Sequence, residues 1–154
     1  MIKMAVFYTS LTCQEISAQI ADMLNAHNKW QSRFTPYAIS MSSAYYFVEI
    51  VLDRVVGCAS LLPISQQSSK LQHICVLPEY RKHGIGKKIV KKVLDNCQTG
   101  HIFMTIREDN VPSIRLAQNL GFRYTNKHWF RDHWTLTFEK GFIQNERTCQ
   151  EVFA

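Results

Sequence analysis

Two glycines placed behind a pair of basic residues form the most chemically informative stretch of this sequence. Arg81 and Lys82 precede Gly84 and Gly86, and a lysine-rich segment follows. Glycine tolerates positive φ and close approach of the backbone, so a short loop with two glycines can turn several N–H groups toward one bound anion. The start of a following helix adds its dipole and its unpaired amides. The segment therefore predicts a binding site for a pyrophosphate.

The distribution of charge favours a local anion site over an extended basic surface. The chain has a net charge of +6, and the stretch 79–92 holds six of the 18 basic side chains but only one of the 12 acidic ones. Outside this stretch, basic and acidic side chains nearly balance. A small phosphate-rich ligand needs such a concentrated patch, whereas a nucleic acid is bound along a broad basic stripe. Composition therefore gives no argument for nucleic acid binding, although it does not exclude it.

Length, hydrophobicity and cysteine content place the chain in a broad class. With 154 residues and 46% hydrophobic residues, it has enough apolar side chains for one domain over 1–154 with a buried core. Its sequence has neither a membrane-spanning apolar stretch nor a signal peptide, so we expect a cytoplasmic protein. The five cysteines are scattered and form no CxxC motif. This pattern favours reduced thiols over a disulfide framework or a zinc site, and no bound metal is expected.

Hydrophobic periodicity predicts strands that alternate with amphipathic helices. The predicted strands lie at 3–9, 45–52, 54–62, 70–77, 101–106, 123–130 and 133–139. The predicted helices lie at 13–26, 85–94 and 112–120, and the segment 25–43 is a loop or a short second helix. This order predicts a single α/β domain with helices on both faces of a mixed, mostly antiparallel sheet.

The glycine segment and a second segment farther along the chain resemble one known family. Arg81-Lys82-His83-Gly84-Ile85-Gly86 fits the acetyl-CoA signature Gln/Arg-x-x-Gly-x-Gly/Ala, and NVPSIRLAQNLGF resembles a helix and turn of the same family. The chain is thus similar to the GNAT N-acetyltransferase superfamily from roughly Tyr46 to Phe138, with a tail at 141–154 beyond the resemblance. The resemblance implies the acyl-CoA N-acyltransferase fold, acetyl-CoA as cofactor, and transfer of the acetyl group to a primary amine of a small molecule or protein.

The resemblance also implies which residues contact acetyl-CoA. The loop N–H groups would hold the pyrophosphate, the preceding strand would lie beside the pantetheine, and an N–H near Val76 or Leu77 would polarise the thioester carbonyl. Asn110 and Ser113 match cofactor-contacting positions, with helix capping as the alternative. The cofactor-binding candidates are Ile74, Cys75, Val76, Arg81, Lys82, His83, Gly84, Ile85, Gly86, Lys87, Asn110 and Ser113.

The usual catalytic side chains of the family are missing from this sequence. Ala117 occupies the position of the common tyrosine acid, and Lys70 occupies that of the glutamate often found at the start of the fourth strand. We consider His73 as a general base, because it lies on the strand beside the cofactor and its ordinary pKa suits the task. Glu49 is a second candidate base and Tyr124 is a candidate acid. For each of these three residues, a packing or surface role is the alternative.

Aromatic side chains are the candidates for the acceptor site. In the family, the loop between the first two helices and the last strand pair shape that site. The aromatic residues in these two regions are Trp30, Phe34, Tyr37, Trp129 and Trp134. For Trp134, packing in the core is the favoured alternative.

Three functions remain open at this point. The first, which we favour, is an N-acetyltransferase that acts on a small amine or a protein amine. The second is a member of the same fold that acetylates a charged tRNA or a modified base, with Arg123, Lys127 and Arg131 on phosphates. The third is a catalytically inactive acyl-CoA-binding module, which Lys70 and Ala117 favour. A homodimer that pairs the last strands is a further expectation from the family.

Overall fold

The first two helices begin at polar capping residues. In this computed structural model, which describes residues 9–27 and 32–141, helix α1 spans Cys13–His27. The Glu15 N–H donates to the Thr12 hydroxyl and the Thr12 N–H donates to the Glu15 carboxylate, and these two bonds form a capping box. Helix α2 spans Pro36–Ser40, so the segment predicted as a loop or short helix contains a short helix. The predicted strand at 3–9 lies almost entirely outside the described residues, as does the tail from 142.

The described residues contribute six strands to one sheet. These strands are β1 (Tyr45–Val51), β2 (Arg54–Pro63), β3 (Ser68–Val76), β4 (His101–Arg107), β5 (Arg123–Phe130) and β6 (His133–Gly141). Their spatial order is β1-β2-β3-β4-β6-β5. Only β3 and β4 pair in parallel, and the other neighbours are antiparallel. The predicted mixed, mostly antiparallel sheet is therefore confirmed.

Helices cover both faces of the sheet. On one face, which we call the α1 face, α1 and α2 pack against side chains that include Tyr46, Val56 and Cys75. On the other face, the α3 face, helices α3 (Ile85–Asp95) and α4 (Val111–Asn119) pack against alternate residues of the same strands. Within the described part of the chain, no helix is long and apolar enough to cross a membrane.

Two local features fix the position of α3 and of the first hairpin. Leu52 and Asp53 both have positive φ, at 48° and 55°, which is the geometry of a two-residue type I′ turn between β1 and β2. A Cβ on Gly57 of β2 would lie 2.8 Å from the Ile89 side chain and 3.1 Å from that of Ile85. Because glycine has no side chain there, α3 can approach the sheet closely.

The sheet opens between its two parallel strands. Strand β3 pairs with β4 only from Ser68 to Lys70, opposite 101–103 of β4. Farther along, β3 contains an irregularity against β2 at which His73 adopts a positive φ of 56°. Two residues of β3 here oppose one residue of β2, which is a β-bulge that bends the strand. The outer half of β3 therefore lacks a partner on its β4 side, and a gap opens toward Val76.

Candidate active site

The glycine loop presents a run of unused backbone donors. Gly84 has φ of 78° and Lys82 has φ of 64°, so the chain reverses twice before α3. The first helical bond runs from the Lys88 N–H to the Gly84 oxygen at 2.9 Å. Among the described residues, no backbone or side-chain oxygen accepts from the N–H groups of 82–87. Consecutive donors at a helix start form a site for an anion.

Arg81 connects the loop to the end of β3. Its Nε donates to the Val76 carbonyl oxygen at 2.9 Å, and its side chain is exposed. The N–H and C=O of a strand residue point to the same side, so Arg81 lies on the side of β3 that faces the gap. The guanidinium is thus held between the loop and the opening in the sheet, where it can contact a phosphate with its other nitrogens.

The opening in the sheet leaves one specific donor facing the gap. The Leu77 N–H donates to the Val56 oxygen of β2 at 2.9 Å, so Leu77 is not available to a ligand and the expectation for this residue is wrong. Because N–H groups alternate along a strand, the Val76 N–H points to the opposite side, toward β4. Pairing with β4 ends at Lys70. The Val76 N–H is therefore the donor that this geometry directs into the gap.

A cavity of about 780 Å³ occupies the opened region. Its walls come from the α1–α2 connection, β3, β4, the start of α4, and the β5–β6 hairpin. The residues with polar or charged side chains along it are His27, Ser32, Lys70, Gln72, His73, Thr105, Arg107, Asp109, Asn110, Ser113, His128, Arg131, His133 and Thr135. Segments far apart in the sequence therefore meet at one site, and His73, Ile74, Asn110 and Ser113 of the predicted site residues are brought together there.

His73 is held in place from several sides. Its Nδ1 lies 2.7 Å from the Tyr46 hydroxyl and 3.4 Å from the Ser60 hydroxyl. The Phe34 ring meets the imidazole edge-on, with centroids 4.9 Å apart. Burial and the positive charge of Lys70 lower the pKa of His73 to about 4. The imidazole is therefore neutral at physiological pH.

Glu49 does not lie at this site. Its carboxylate accepts hydrogen bonds from Lys88 and Lys92 of α3, with Lys92 Nζ at 3.2 Å. Burial raises the pKa of Glu49, but the two lysines outweigh this effect and leave it below the ordinary value. Glu49 thus forms structural ion pairs with helix α3 on the α3 face of the sheet. The expectation that Glu49 is a base facing the acceptor pocket is wrong.

Tyr124 is also separated from the cavity, and Cys75 is unsuited to nucleophilic attack. Tyr124 lies on the edge strand β5, where it packs edge-on against Phe138 and is 55% exposed. It shares the α3 face with Phe138 and does not line the cavity.

Burial raises the pKa of the Cys75 thiol to about 11, although Arg81 opposes this rise. Ala117, at the position of the usual tyrosine acid, is fully buried in the core.

Asn110 and Ser113 combine the two roles that the sequence left open. The Asn110 side chain caps α4 by accepting from the Ser113 N–H at 3.3 Å. Both residues also line the cavity. The capping role is therefore present, and it places two polar side chains beside the gap.

The candidate aromatic residues separate into two groups. Phe34 lines the cavity, as does Phe130, which had not been singled out. Trp129 and Trp134 lie outside the cavity and pack edge-on against each other, with centroids 5.3 Å apart. Trp134 is 41% exposed, so its expected place in the core is wrong. Tyr37 is exposed and away from the cavity, and Trp30 lies outside the described residues.

Sequence reasoning missed Tyr46 and Thr135. Tyr46 contacts His73 across 27 positions of sequence, and within an apolar strand nothing marks it as functional. Burial and nearby Cys58 raise the pKa of Tyr46, so it keeps its proton. Thr135 lies within the predicted strand 133–139, but that prediction did not indicate that this residue lines a cavity.

The fold and the site define a class of domain: an open mixed sheet with a run of backbone donors at a helix start beside its gap. A model of the acetyltransferase (GNAT) family matches residues 10–122. The chain therefore belongs to the acetyltransferase (GNAT) family, as the sequence resemblance indicated.

Solved structures with the same fold come from several bacteria. The yncA acetyltransferase of Salmonella typhimurium, solved with its cofactor acetyl-CoA, is 18% identical with a TM-score of 0.72, over 86% of this chain and 92% of that chain. The ribosomal-protein-alanine N-acetyltransferase of Brucella melitensis is 18% identical with a TM-score of 0.69, over 89% of this chain and 98% of that chain. At these identities the similarity demonstrates the shared fold.

One curated relative is similar in sequence. ML0378 of Mycobacterium leprae, an uncharacterised protein, is 26% identical over 113 residues, which are 71% of this chain and 31% of that protein. The chain thus matches about a third of the length of this relative.

Proposed function

We propose that this chain is an acetyl-CoA-dependent N-acetyltransferase that acts on a primary amine by direct attack in a ternary complex. The observation that carries the proposal is the run of backbone donors at 82–87 beside the gap in the sheet. Six adjacent N–H groups at a helix start, with no acceptor among residues 9–27 and 32–141, suit a diphosphate. The gap between β3 and β4 extends from this loop toward the cavity. A ligand with a long, thin chain attached to its diphosphate would fit along such a gap.

The residues present fit acetyl-CoA without large rearrangement. A Cβ at Gly84 would meet nothing within 4 Å, so the space above the loop is open to a ligand. Arg81 and the loop N–H groups would hold the pyrophosphate. The exposed side of β3, from Ile74 to Val76, would pair with the amides of the pantetheine as a neighbouring strand does. Lys82, His83, Ile85 and Lys87 contribute through their backbone N–H groups.

Acetyl-CoA supplies the activated acetyl group, and transfer forms an amide bond to the acceptor nitrogen while the thiol of CoA leaves. In this proposal, the Val76 N–H donates a hydrogen bond to the thioester oxygen and stabilises the negative charge that develops there. The neutral imidazole of His73, whose Nδ1 contacts the Tyr46 hydroxyl, accepts the proton of the attacking amine, and the CoA thiolate takes up that proton as it leaves. Positioning of the amine beside the thioester supplies a further part of the rate.

The test begins with calorimetric titration of acetyl-CoA into the wild type and into the double variant Gly84→Asp, Gly86→Asp. Two carboxylates beside the diphosphate should weaken binding by about a hundredfold or more. Gly141→Asp is the matched control, because a Cβ at this position also meets nothing within 4 Å and lies far from the loop. Equal binding by all three proteins would refute the anion role of the loop.

A thiol-release screen then tests catalysis with amines, peptides and aminoacyl-tRNA as acceptors. Thiol release that depends on an amine supports the proposed transferase. Tight acetyl-CoA binding without turnover on any acceptor would instead indicate an acyl-CoA-binding module. Turnover confined to aminoacyl-tRNA, with a steep loss at high salt, would favour the nucleic-acid-directed alternative.

A further inference from the structure

We propose that the acceptor is a small amine that also carries an anionic group, and that Arg131 binds this group in the cavity. The inference rests on the proposed N-acetyltransferase function and specifies its second substrate. It follows from the side of the sheet on which these residues lie, from the charge balance of the cavity, and from one buried hydroxyl without a partner.

Lys70 of the cavity lies apart from the glycine loop. Lys70 is on the opposite strand face from buried Leu71, which packs on the α3 face, so Lys70 shares the α1 face with His73. By the same alternation, Arg107 lies on the α1 face, because Ile106 packs on the other one. Six residues of extended strand separate Lys70 from Val76, a distance of about 20 Å. Lys70 is therefore too far from the loop to serve the same phosphates.

The charge of the cavity wall is positive. Lys70, Arg107 and Arg131 line it, and Asp109 is the acidic residue among the lining residues of the described structure. Arg107 is bound to Asp109 by two hydrogen bonds, at 3.0 and 3.2 Å. Within 9–27 and 32–141, no carboxylate lies within ion-pair distance of Lys70 or Arg131. An anionic ligand would supply the missing partner.

The neighbouring acidic and titratable groups do not cancel this excess. Asp132, next to Arg131, does not line the cavity and pairs with His133 at 2.8 Å. The Arg131 guanidinium lies over the Phe130 ring at 5.4 Å, which holds the side chain at the cavity rim. A stacked guanidinium keeps its edge N–H groups available for a carboxylate or phosphate.

A buried hydroxyl indicates that a polar ligand completes the wall. Thr135 is 8% exposed, and its Oγ1 is buried without any hydrogen-bond partner among the described residues. Thr135 lines the cavity and lies in register with Arg107 on one side and His128 on the other. An unpaired buried hydroxyl is costly unless a ligand or water bonds to it. The site therefore offers a neutral hydrogen-bonding group next to its cationic groups.

A positive cavity also suits the chemistry of an amine that must lose a proton. The charge of Lys70 lowers the pKa of a nearby ammonium group, just as it contributes to the low pKa of His73. This effect increases the neutral, nucleophilic fraction of the amine without a strong base. The anionic group of the acceptor is attracted to the positive cavity wall, and this attraction offsets the repulsion between the wall and the ammonium group. A polycationic amine has no anionic group to offset this repulsion.

The kinetic test compares pairs of acceptors that differ in the anionic group. Phenylalanine is compared with phenethylamine, and phosphoethanolamine with ethanolamine, and spermidine serves as the cationic reference. We expect the anionic member of at least one pair to have a kcat/KM about tenfold higher than its partner. The two pairs distinguish a carboxylate from a phosphate. Preference for spermidine or for both neutral partners would overturn the inference while leaving the transferase proposal intact.

Variants then assign the preference to Arg131. Arg131→Gln should raise the KM for the anionic acceptor about tenfold, without a change in KM for acetyl-CoA or for the uncharged partner. Lys91→Gln, which removes one exposed charge from α3, is the matched control. An equal effect of Arg131→Gln on both members of the pair would contradict a role in binding the anion.

Binding measurements on the acceptor compounds test the anion site independently of catalysis. They therefore distinguish failure of this inference from failure of the transferase proposal. The same compounds are titrated into the wild type and the Arg131→Gln variant, with and without CoA. Binding of the anionic compound alone, weakened in the variant, supports the anion site even if no acetyl transfer occurs. Equal binding of both members of each pair, or no binding of either, would refute it.

Discussion

The glycine loop and the cavity are both positively charged, yet they are built in opposite ways. The loop is one continuous stretch whose candidate binding groups are the backbone N–H groups at 82–87, and its side chains are largely exposed. The cavity collects side chains from β3, β4, α4 and the β5–β6 hairpin. His73, the base in our proposal, contacts Tyr46 from yet another strand.

This difference predicts how the two regions respond to substitution. A backbone site tolerates changes of side chain as long as the loop keeps its shape, whereas a site made of side chains loses function with each one removed. Cofactor binding should therefore be sensitive to Gly84 and insensitive to His83. Acetyl transfer should instead be sensitive to single side chains in the cavity.

The largest effect is expected for His73→Asn. Asparagine tolerates the positive φ of 56° at this position, so the bulge is kept while the proton acceptor is lost. We expect kcat to fall by about a hundredfold, near the lower end for a general base because the low pKa of His73 makes it a weak base. The affinity for acetyl-CoA should not change. Steady-state kinetics and calorimetry measure the two effects.

The pH dependence of stability provides a second measurement on the same variant. The pKa of His73 is about 4 in the folded protein, below its ordinary value of 6.5. The unfolded chain therefore binds more protons between these values, and the free energy of unfolding should rise as pH increases from 4 to 6.5. His73→Asn should remove this contribution to the slope, whereas His101→Asn, outside the cavity, should keep it. An unchanged slope in His73→Asn would contradict the burial of a neutral imidazole.

The parts of the fold that sequence patterns predicted are those set by local rules. Helix α1, the two strands of the first hairpin, and the amphipathic helix α3 all follow from patterns within a few residues. Trp134 shows where this reasoning stops. A place in the core was the favoured alternative for Trp134, but it lies near the hairpin turn and remains partly exposed, because strand alternation gives the face of a strand and not the extent of the helix that covers it.

The residues of the candidate site differ in the same way: some are set by local sequence and others by long-range contacts. The geometry of the loop could be predicted because it is set locally, by the positive φ of Gly84 and by the helix start, while its binding role stays a prediction. Glu49 could not be placed from sequence, because its partners Lys88 and Lys92 lie 39 and 43 residues away. Likewise, the link between Tyr46 and His73 depends on strand register and on a bulge. Long-range pairing of this kind leaves no local pattern.

An effect of intermediate size on acetyl-CoA binding is expected for Asn110→Ala. Asn110 caps α4 and lines the cavity beside the gap in the sheet. Loss of the cap on α4 should lower the free energy of unfolding by about 1 kcal/mol. Because Asn110 also lines the cavity, acetyl-CoA binding should weaken severalfold. Thr12→Ala removes a cap from α1, far from the gap, and should cost similar stability with no loss of binding. Equal affinities of the two variants for acetyl-CoA would mean that Asn110 acts only as a helix cap.

The smallest effect on activity is expected for Glu49→Gln. This variant removes the carboxylate that binds Lys88 and Lys92 but touches neither the loop donors nor the cavity. Because the lysines are partly exposed, the free energy of unfolding at pH 7 should fall by no more than about 1 kcal/mol. The carboxylate has a lowered pKa in the folded protein, so this contribution should be lost as pH falls below 4.5.

Kinetic and unfolding measurements on Glu49→Gln therefore decide whether the two regions are as separate as their construction indicates. Unchanged kcat, with a stability difference from wild type that shrinks toward low pH, fits a carboxylate whose only role is to hold α3 on the sheet. A fall in kcat comparable to that of His73→Asn would mean that proton transfer involves the α3 face. The contrast between a backbone-built cofactor loop and a cavity that contains the catalytic base would then fail.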